Sequence, residues 1–390
     1  MHIVLATDTF LPEVNGVTTV LAQMRDGLRK RGHEVRVLAP DYGSLLSDEG
    51  GIRRLAAVPA PGYRQVRLSW PWFRGLTGWL DQGPPDLIHA ITEGPLGLFG
   101  RGYARRRGLP LVSSFHTDFP RYAGHYFGAF AVKPTEAYIR WFHAAARLTQ
   151  TPSEVSRDEL HGLGVSRAEV WGRGVDTGWF RPSRRSAMRR AALGATEDRV
   201  LVLHVGRLAV EKSVDTLVAA FTAARARLGE RAVFCVAGDG PRAAWVRDSL
   251  PWARHLGFLD RAVLADLYAD ADLFVFPSAT ETCGLVALEA LASGVPVVGA
   301  NAGGVKESLR EGLTGMLVPP GEAAAFASAI EVLVEDSGQR RAMGEAARAF
   351  AVGRDWAREL DQLEAAYERL CVRRTAVVAP STWPTTTSVR

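Results

Sequence analysis

Residues 277–299 read Pro277-Ser278-Ala279-Thr280-Glu281-Thr282-Cys283-Gly284-Leu285-Val286-Ala287-Leu288-Glu289-Ala290-Leu291-Ala292-Ser293-Gly294-Val295-Pro296-Val297-Val298-Gly299. The spacing of Leu285, Leu288 and Leu291 predicts a helix, Gly294 stops it, and Val295 to Val298 reads as a buried strand. A helix entered through Thr and Gly turns bare N–H groups and a positive dipole end toward whatever precedes it, which suits a phosphate. Glu281 stands just ahead of that end. Glu289 follows roughly 12 Å further on at ~1.5 Å rise per residue. A glycosidase acid/base pair needs its carboxyls about 5–9.5 Å apart, so these two do not form one. They suit hydroxyls at opposite ends of one long ligand, with phosphates between.

Outward from this stretch, strand and helix alternate through residues 196–350. The strand at 200–205 runs into Gly206-Arg207-Leu208-Ala209-Val210-Glu211-Lys212. Arg207 and Lys212 can reach one diphosphate, the first with a planar fork and the second as a point charge. Alone, the two cations read equally well as surface charge. Combined with Glu281 and Glu289 at the same sheet edge, and with Gly238-Asp239-Gly240 beside them, they make a nucleotide-diphosphate cradle.

The same alternation fills residues 1–178. Ile3 to Ala6, a helix from Gly16 and a strand from Glu34 make a βαβ opening. The loop before Gly16 is either a phosphate approach or a plain turn. The strand ending near Phe115 carries His116 at its carboxyl end, where open α/β sheets bind ligands. Tyr122, His125 and Tyr126 read as a loop, and the polar, Arg-rich 178–195 as an interdomain linker. The expected division is therefore 1–178 and 196–350, with a last helix over 351–373 crossing back to the first domain and a disordered Thr/Pro-rich tail at 374–390.

Composition limits the choices. The chain has 390 residues, net charge +5 and three cysteines far apart in sequence, which suits a reducing cytoplasm and neither a disulfide framework nor a metal motif. No P-loop, no Gly-x-Gly-x-x-Gly and no Gly-x-Ser-x-Gly elbow occurs, which counts against an ATPase, an NAD dehydrogenase and an α/β-hydrolase. No apolar run approaches the ~18 residues that a membrane span needs. Tyr63 to Trp79 mixes Trp and Arg; it reads either as an interfacial segment on anionic lipid or as a partly exposed helix with Trp in the core.

Gly206-Arg207 with Lys212, the Glu281–Glu289 spacing and the following Gly294-Val295-Pro296-Val297 resemble the retaining glycosyltransferases of family 4. Asn15-Gly16-Val17, Ser114 to Phe119, Tyr138 to His143 and Gly172-Arg173-Gly174-Val175-Asp176-Thr177 are similar to its bacterial glycolipid branch, most of all to GDP-mannose-dependent α-mannosyltransferases. The resemblance implies an α/β fold of the GT-B kind, with two facing Rossmann-like doubly wound parallel-sheet domains. It implies Arg207 and Lys212 on the donor diphosphate, Gly16, Gly206 and Gly238 lining it, and Glu289 on the ribose. Glu281 would hold the sugar hydroxyls, with backbone amides at Cys283, Gly284 and Leu285 helping. His116 would contact the sugar, and Asn15, Asp118 and Tyr122 would lie on the acceptor side. Cys283 stands where Phe is common, and Ser213 where Gly is common. No cofactor, no metal and no nucleic acid is implied. The implied partners are a GDP- or UDP-sugar and a lipid or glycolipid acceptor, with peripheral contact at the inner face of the membrane. A UDP-sugar transferase acting on diacylglycerol, or a nucleotide-sugar binder without catalysis, are the alternatives.

Overall fold

The computed structural model describes residues 1–43, 50–60, 63–69 and 75–377. Its apolar runs become two parallel sheets. The first places strands in the order Ile52–Leu55, Glu34–Pro40, His2–Ala6, Leu87–Ala90, Leu111–Ser114, Leu148–Thr151 and Ala168–Val170. The second places them in the order Arg254–Gly257, Ala232–Ala237, Val200–Val205, Leu273–Phe276, Val297–Ala300 and Gly315–Val318, all parallel. Each strand order runs outward both ways from an early strand, the arrangement of a doubly wound Rossmann-like sheet.

Parallel strands buried on both faces read as continuous apolar runs. Val200–Val205 is buried along its whole length. Its alternate residues serve two cores. Val200 and Val202 pack with Phe221, Phe234, Phe326 and Ile330. Leu201, Leu203 and Val205 pack with Tyr268, Phe274, Leu288 and Leu291.

The chain forms two compact units. One holds Met1–Ser114, Phe142–Thr149 and the helix end from Leu360; the other holds Phe115–Trp141 and Gln150–Glu359. The linear division at 178 and 196 is coarser than this grouping, because Phe115–Trp141 and Gln150 onward count with the second unit.

Three expectations need correcting. Residues 178–195 are not an open linker. They form a 3-10 turn at Pro182–Arg184 and a helix at Ala187–Leu193 capped by Ser186. The arginines that suggested solvent exposure pair with one acidic ladder: Arg184 with Asp266 at 2.8 Å, Arg189 with Asp270 at 2.7 Å and Arg190 with Asp272 at 2.8 Å. Tyr122, His125 and Tyr126 lie on a helix, Phe119–Phe127, not in a loop. Asp118 caps it and Pro120 sits in its first turn, where a missing N–H does no harm. The last helix runs Trp356–Val377, so 374–377 are helical. The remainder of the expected tail lies outside the described residues.

Of the Tyr63–Trp79 segment, Trp70, Pro71, Trp72, Phe73 and Arg74 lie outside the described residues. Tyr63–Ser69 is a strand antiparallel to Ala57–Ala60, and Trp79 sits on the helix Leu76–Asp81 under the Arg36 guanidinium at 5.0 Å. Among the described residues no helix is long and apolar enough to cross a membrane.

Candidate functional site

The second sheet reverses its order beside Val200–Val205, which has Ala232–Ala237 on one side and Leu273–Phe276 on the other. Loops at the carboxyl ends of strands flanking such a reversal form the ligand crevice of an open α/β sheet. The loop from Gly206 leaves the first of these strands, and the loop from Pro277 leaves the second. Gly238 ends the neighbouring strand at φ 131, and a Cβ there would sit 1.9 Å from the Gly206 carbonyl oxygen. Only glycine lets these two loops approach so closely. The Leu208 amide then donates to the Asp239 carbonyl at 3.0 Å, so the loop carrying Arg207 is held from its flank.

Lys212 and Glu281 meet here. The ammonium Nζ donates to Glu281 Oε1 at 2.6 Å, with the two side chains 19% and 17% exposed. Burial alone would pull the Lys212 ammonium down, but Glu281, Tyr122 and Glu211 together outweigh it and hold it above its ordinary value. Lysine has three donors, so two remain for a ligand anion. Glu211 was not foreseen. It is buried, its carboxylate accepts from Tyr126 OH at 2.8 Å, and its carbonyl accepts from Thr280 Oγ1 at 2.7 Å. Its signal was only its place beside Lys212 in an exposed-looking loop.

Ser213 follows Lys212 at φ 56 and is the one non-glycine with positive φ among the described residues. It begins the helix Val214–Leu228 without a side-chain capping bond. A left-handed residue with a Cβ costs about 1 kcal/mol or more. Ser213→Gly is therefore expected to stabilise the protein by up to about 1 kcal/mol, read as a higher urea midpoint.

Gly284, at φ 79, stands before the helix Leu285–Ala292, which has no side-chain cap. Its first amides, beginning at Leu285, are left without one. Cys283 is buried, its carbonyl accepts from Ser308 Oγ at 2.8 Å, and burial pushes its thiol up to about 11. A thiol so placed is inert at neutral pH, so this position offers backbone only.

Glu289 lies on the same helix. Burial raises its carboxyl to about 7, against the lowering effects of the nearby Tyr268 hydroxyl and of Arg261. The folded state therefore holds a proton that the unfolded chain has already released above pH 4.5. The stability this proton lends is complete below pH 4.5 and is lost as pH rises through about 7. Relative to Glu289→Gln, the wild type is expected to lose on the order of 2–3 kcal/mol across that window, measured by urea unfolding at its two ends.

His116 and Asp118 follow the strand Leu111–Ser114. The His116 carbonyl accepts from Thr282 Oγ1 at 2.8 Å, which ties it to the loop of Glu281. Asp118 caps its helix, accepting the Arg121 amide at 3.1 Å, and pairs with the Arg121 guanidinium at 3.0 Å; burial raises its carboxyl. Tyr122 lies near enough to Lys212 to raise it. His116, Asp118, Tyr122, Arg207, Lys212, Glu281, Cys283, Gly284 and Glu289 all belong to the second unit, within which contacts join Lys212 to Glu281 and the Glu281 loop to His116. Asn15 and Gly16 belong to the first unit, where Asn15 caps the helix Gly16–Lys30 through a reciprocal box with Thr18. Among the described residues no group of three or more His, Cys, Asp or Glu is placed to hold a metal ion.

Residues 14–179 match the family described as Glycosyltransferase Family 4, and residues 187–350 that described as Glycosyl transferases group 1. The chain is 34% identical to a GDP-mannose-dependent alpha-mannosyltransferase of Mycobacterium tuberculosis, over 97% of this chain and 99% of that one. It is 29% identical to an alpha-monoglucosyldiacylglycerol synthase of Streptococcus pneumoniae, over 76% of this chain and 70% of that one. The solved structure of HepE of Anabaena with UDP-glucose shares the fold, at TM-score 0.76 and 22% identity, over 95% of this chain and 100% of that one.

Proposed function

We propose, from the premise that this chain belongs to glycosyltransferase family 4, that it moves mannose from GDP-mannose to a membrane glycolipid or lipid. That it is a glycosyltransferase of the GT-B fold follows from the family. The observation that supports this donor site best is the junction of Lys212, Glu281 and the uncapped helix start at Gly284, beside the strand reversal. Lys212 and Arg207 would carry the charge of the departing diphosphate, work that a metal does in other transferases. Glu281 would hold sugar hydroxyls, Glu289 the ribose and His116 the sugar near its reacting carbon. Gly16 would add backbone to the phosphates, and Asn15, Asp118 and Tyr122 would serve the acceptor. Retention would follow from attack on the same face as the leaving group, with the leaving phosphate taking the acceptor proton. No cofactor or metal is needed in this scheme, and the enzyme would work at the cytoplasmic face of the membrane.

The choice of GDP-mannose rests on the mycobacterial relative. The streptococcal relative favours a second reading, in which a UDP-sugar is the donor and diacylglycerol the acceptor. Thermal shift with GDP-mannose, UDP-glucose and UDP-galactose separates them, since a bound ligand raises stability by RT ln(1 + [L]/Kd). GDP-mannose is expected to raise Tm most, and GDP release with a lipid acceptor to survive a chelator. Turnover of a UDP-sugar with no GDP release would overturn the donor assignment.

A further inference from the structure

We infer that Arg173 is a positioning residue that fixes the tautomer of His116, so that His116 presents an N–H, and not a lone pair, from Nε2. Arg173 follows the strand Ala168–Val170 and is 3% exposed. Its Nη1 donates to the Trp171 carbonyl at 2.7 Å and to the Gly172 carbonyl at 3.1 Å, and its guanidinium lies 4.6 Å from the Trp171 ring centroid. These contacts hold the fork in one place. Its Nη2 reaches His116 Nδ1 at 3.1 Å.

A guanidinium has donors and no acceptor. Nδ1 must therefore accept, and the single proton of the neutral ring sits on Nε2. Burial lowers the Arg173 guanidinium to about 10, so it is still charged at neutral pH. Thr282 grips the other end of His116 through its carbonyl. The backbone of His116 is thus held by Thr282 and its ring by Arg173, both in the second unit.

The consequence rests on the reading that His116 meets the donor sugar. A ring protonated on Nε2 donates a hydrogen bond to a sugar oxygen. It cannot take the acceptor's proton with that nitrogen. His116 is then no general base, and the proton must leave by another route, such as the departing phosphate.

The test uses the full chain labelled with ¹⁵N-histidine. A long-range ¹H–¹⁵N correlation spectrum separates the two tautomers, and His116→Gln assigns the His116 signals among nine histidines. The wild type is expected to show the Nε2–H form alone. Arg173→Met is expected to show mixed tautomers and a kcat reduced at least roughly tenfold, with the donor KM within about twofold. Arg173→Lys restores a charged donor and is expected to recover part of both. A wild-type His116 carrying its proton on Nδ1 overturns the inference, as does a folded Arg173→Met with unchanged kcat. If Arg173→Met does not fold, the wild-type spectrum decides. A chain that transfers no sugar defeats the functional reading and leaves the tautomer result standing.

Discussion

Lys212→Ala is expected to lower turnover by roughly 10²–10³-fold, the loss typical when one preorganised donor to a developing anion is removed. In the structure Lys212 spends one hydrogen bond on Glu281 at 2.6 Å. The pair is mostly shielded from water, so each charge depends on the other. Removing the ammonium takes the cation away from the Glu281 carboxylate and also from the buried Glu211, which acts on the same ammonium. Breaking a fully buried pair costs 3–5 kcal/mol; at this exposure about 1–3 kcal/mol is expected. Lys212→Ala and Glu281→Ala are each expected to lower the urea midpoint. The double variant is expected to be more stable than the sum of the two losses allows, because no orphaned charge remains. Its activity is expected to be no better than that of either single variant. That contrast separates the catalytic role from the structural one. Full turnover by a folded Lys212→Ala protein would remove the ammonium from the donor site.

The sequence was readable where one residue's chemistry and its local spacing sufficed. Apolar runs such as Val200–Val205 become strands because both faces are buried, and nothing distant is needed to see them. Glu281, Gly284 and Glu289 fall in one short stretch, so their relation to a helix end shows in their spacing. Reading failed where a partner lies far along the chain. The arginines of 184–190 look like solvent-facing charge until Asp266, Asp270 and Asp272 are placed opposite them. Arg173 looks like one more basic residue in a glycine-rich loop until His116, 57 positions away, is found on its Nη2. Glu211 is of the same kind, because its partners Tyr126 and Thr280 come from two other segments. The substitution of Ser for Gly at position 213 was legible as a departure, but its meaning required the backbone angle.

Gly304→Ala is expected to lower turnover by roughly 10²-fold, the lower end of the loss expected for Lys212→Ala, without touching a charged group. A Cβ at Gly304 would sit 2.2 Å from the Thr282 carbonyl oxygen and 2.7 Å from Cys283 Cα. These are backbone atoms, and no side-chain rotation relieves the clash. Gly303, at φ 51, is as tight, with a Cβ that would lie 2.4 Å from the Glu281 carbonyl oxygen. The Gly304 amide also donates to that same carbonyl at 2.7 Å. The loop of Glu281, Thr282 and Cys283 therefore rests on bare backbone at 303–304. An added methyl must push it away, carrying Glu281 off Lys212 and Thr282 off the His116 carbonyl. Overpacking of this kind costs about 1–3 kcal/mol, and a ~1 Å displacement of a positioning group can cost 10²-fold in rate. Gly162→Ala is the control. Nothing lies within 4 Å of a Cβ at that position. A surface change of that sort is expected to stay within about 0.5 kcal/mol. If Gly304→Ala folds with an unchanged urea midpoint and unchanged kcat, the loop is not held as the structure shows. If it loses kcat while Lys212→Ala does not, the loop's backbone amides and Glu281, not the ammonium, carry the donor.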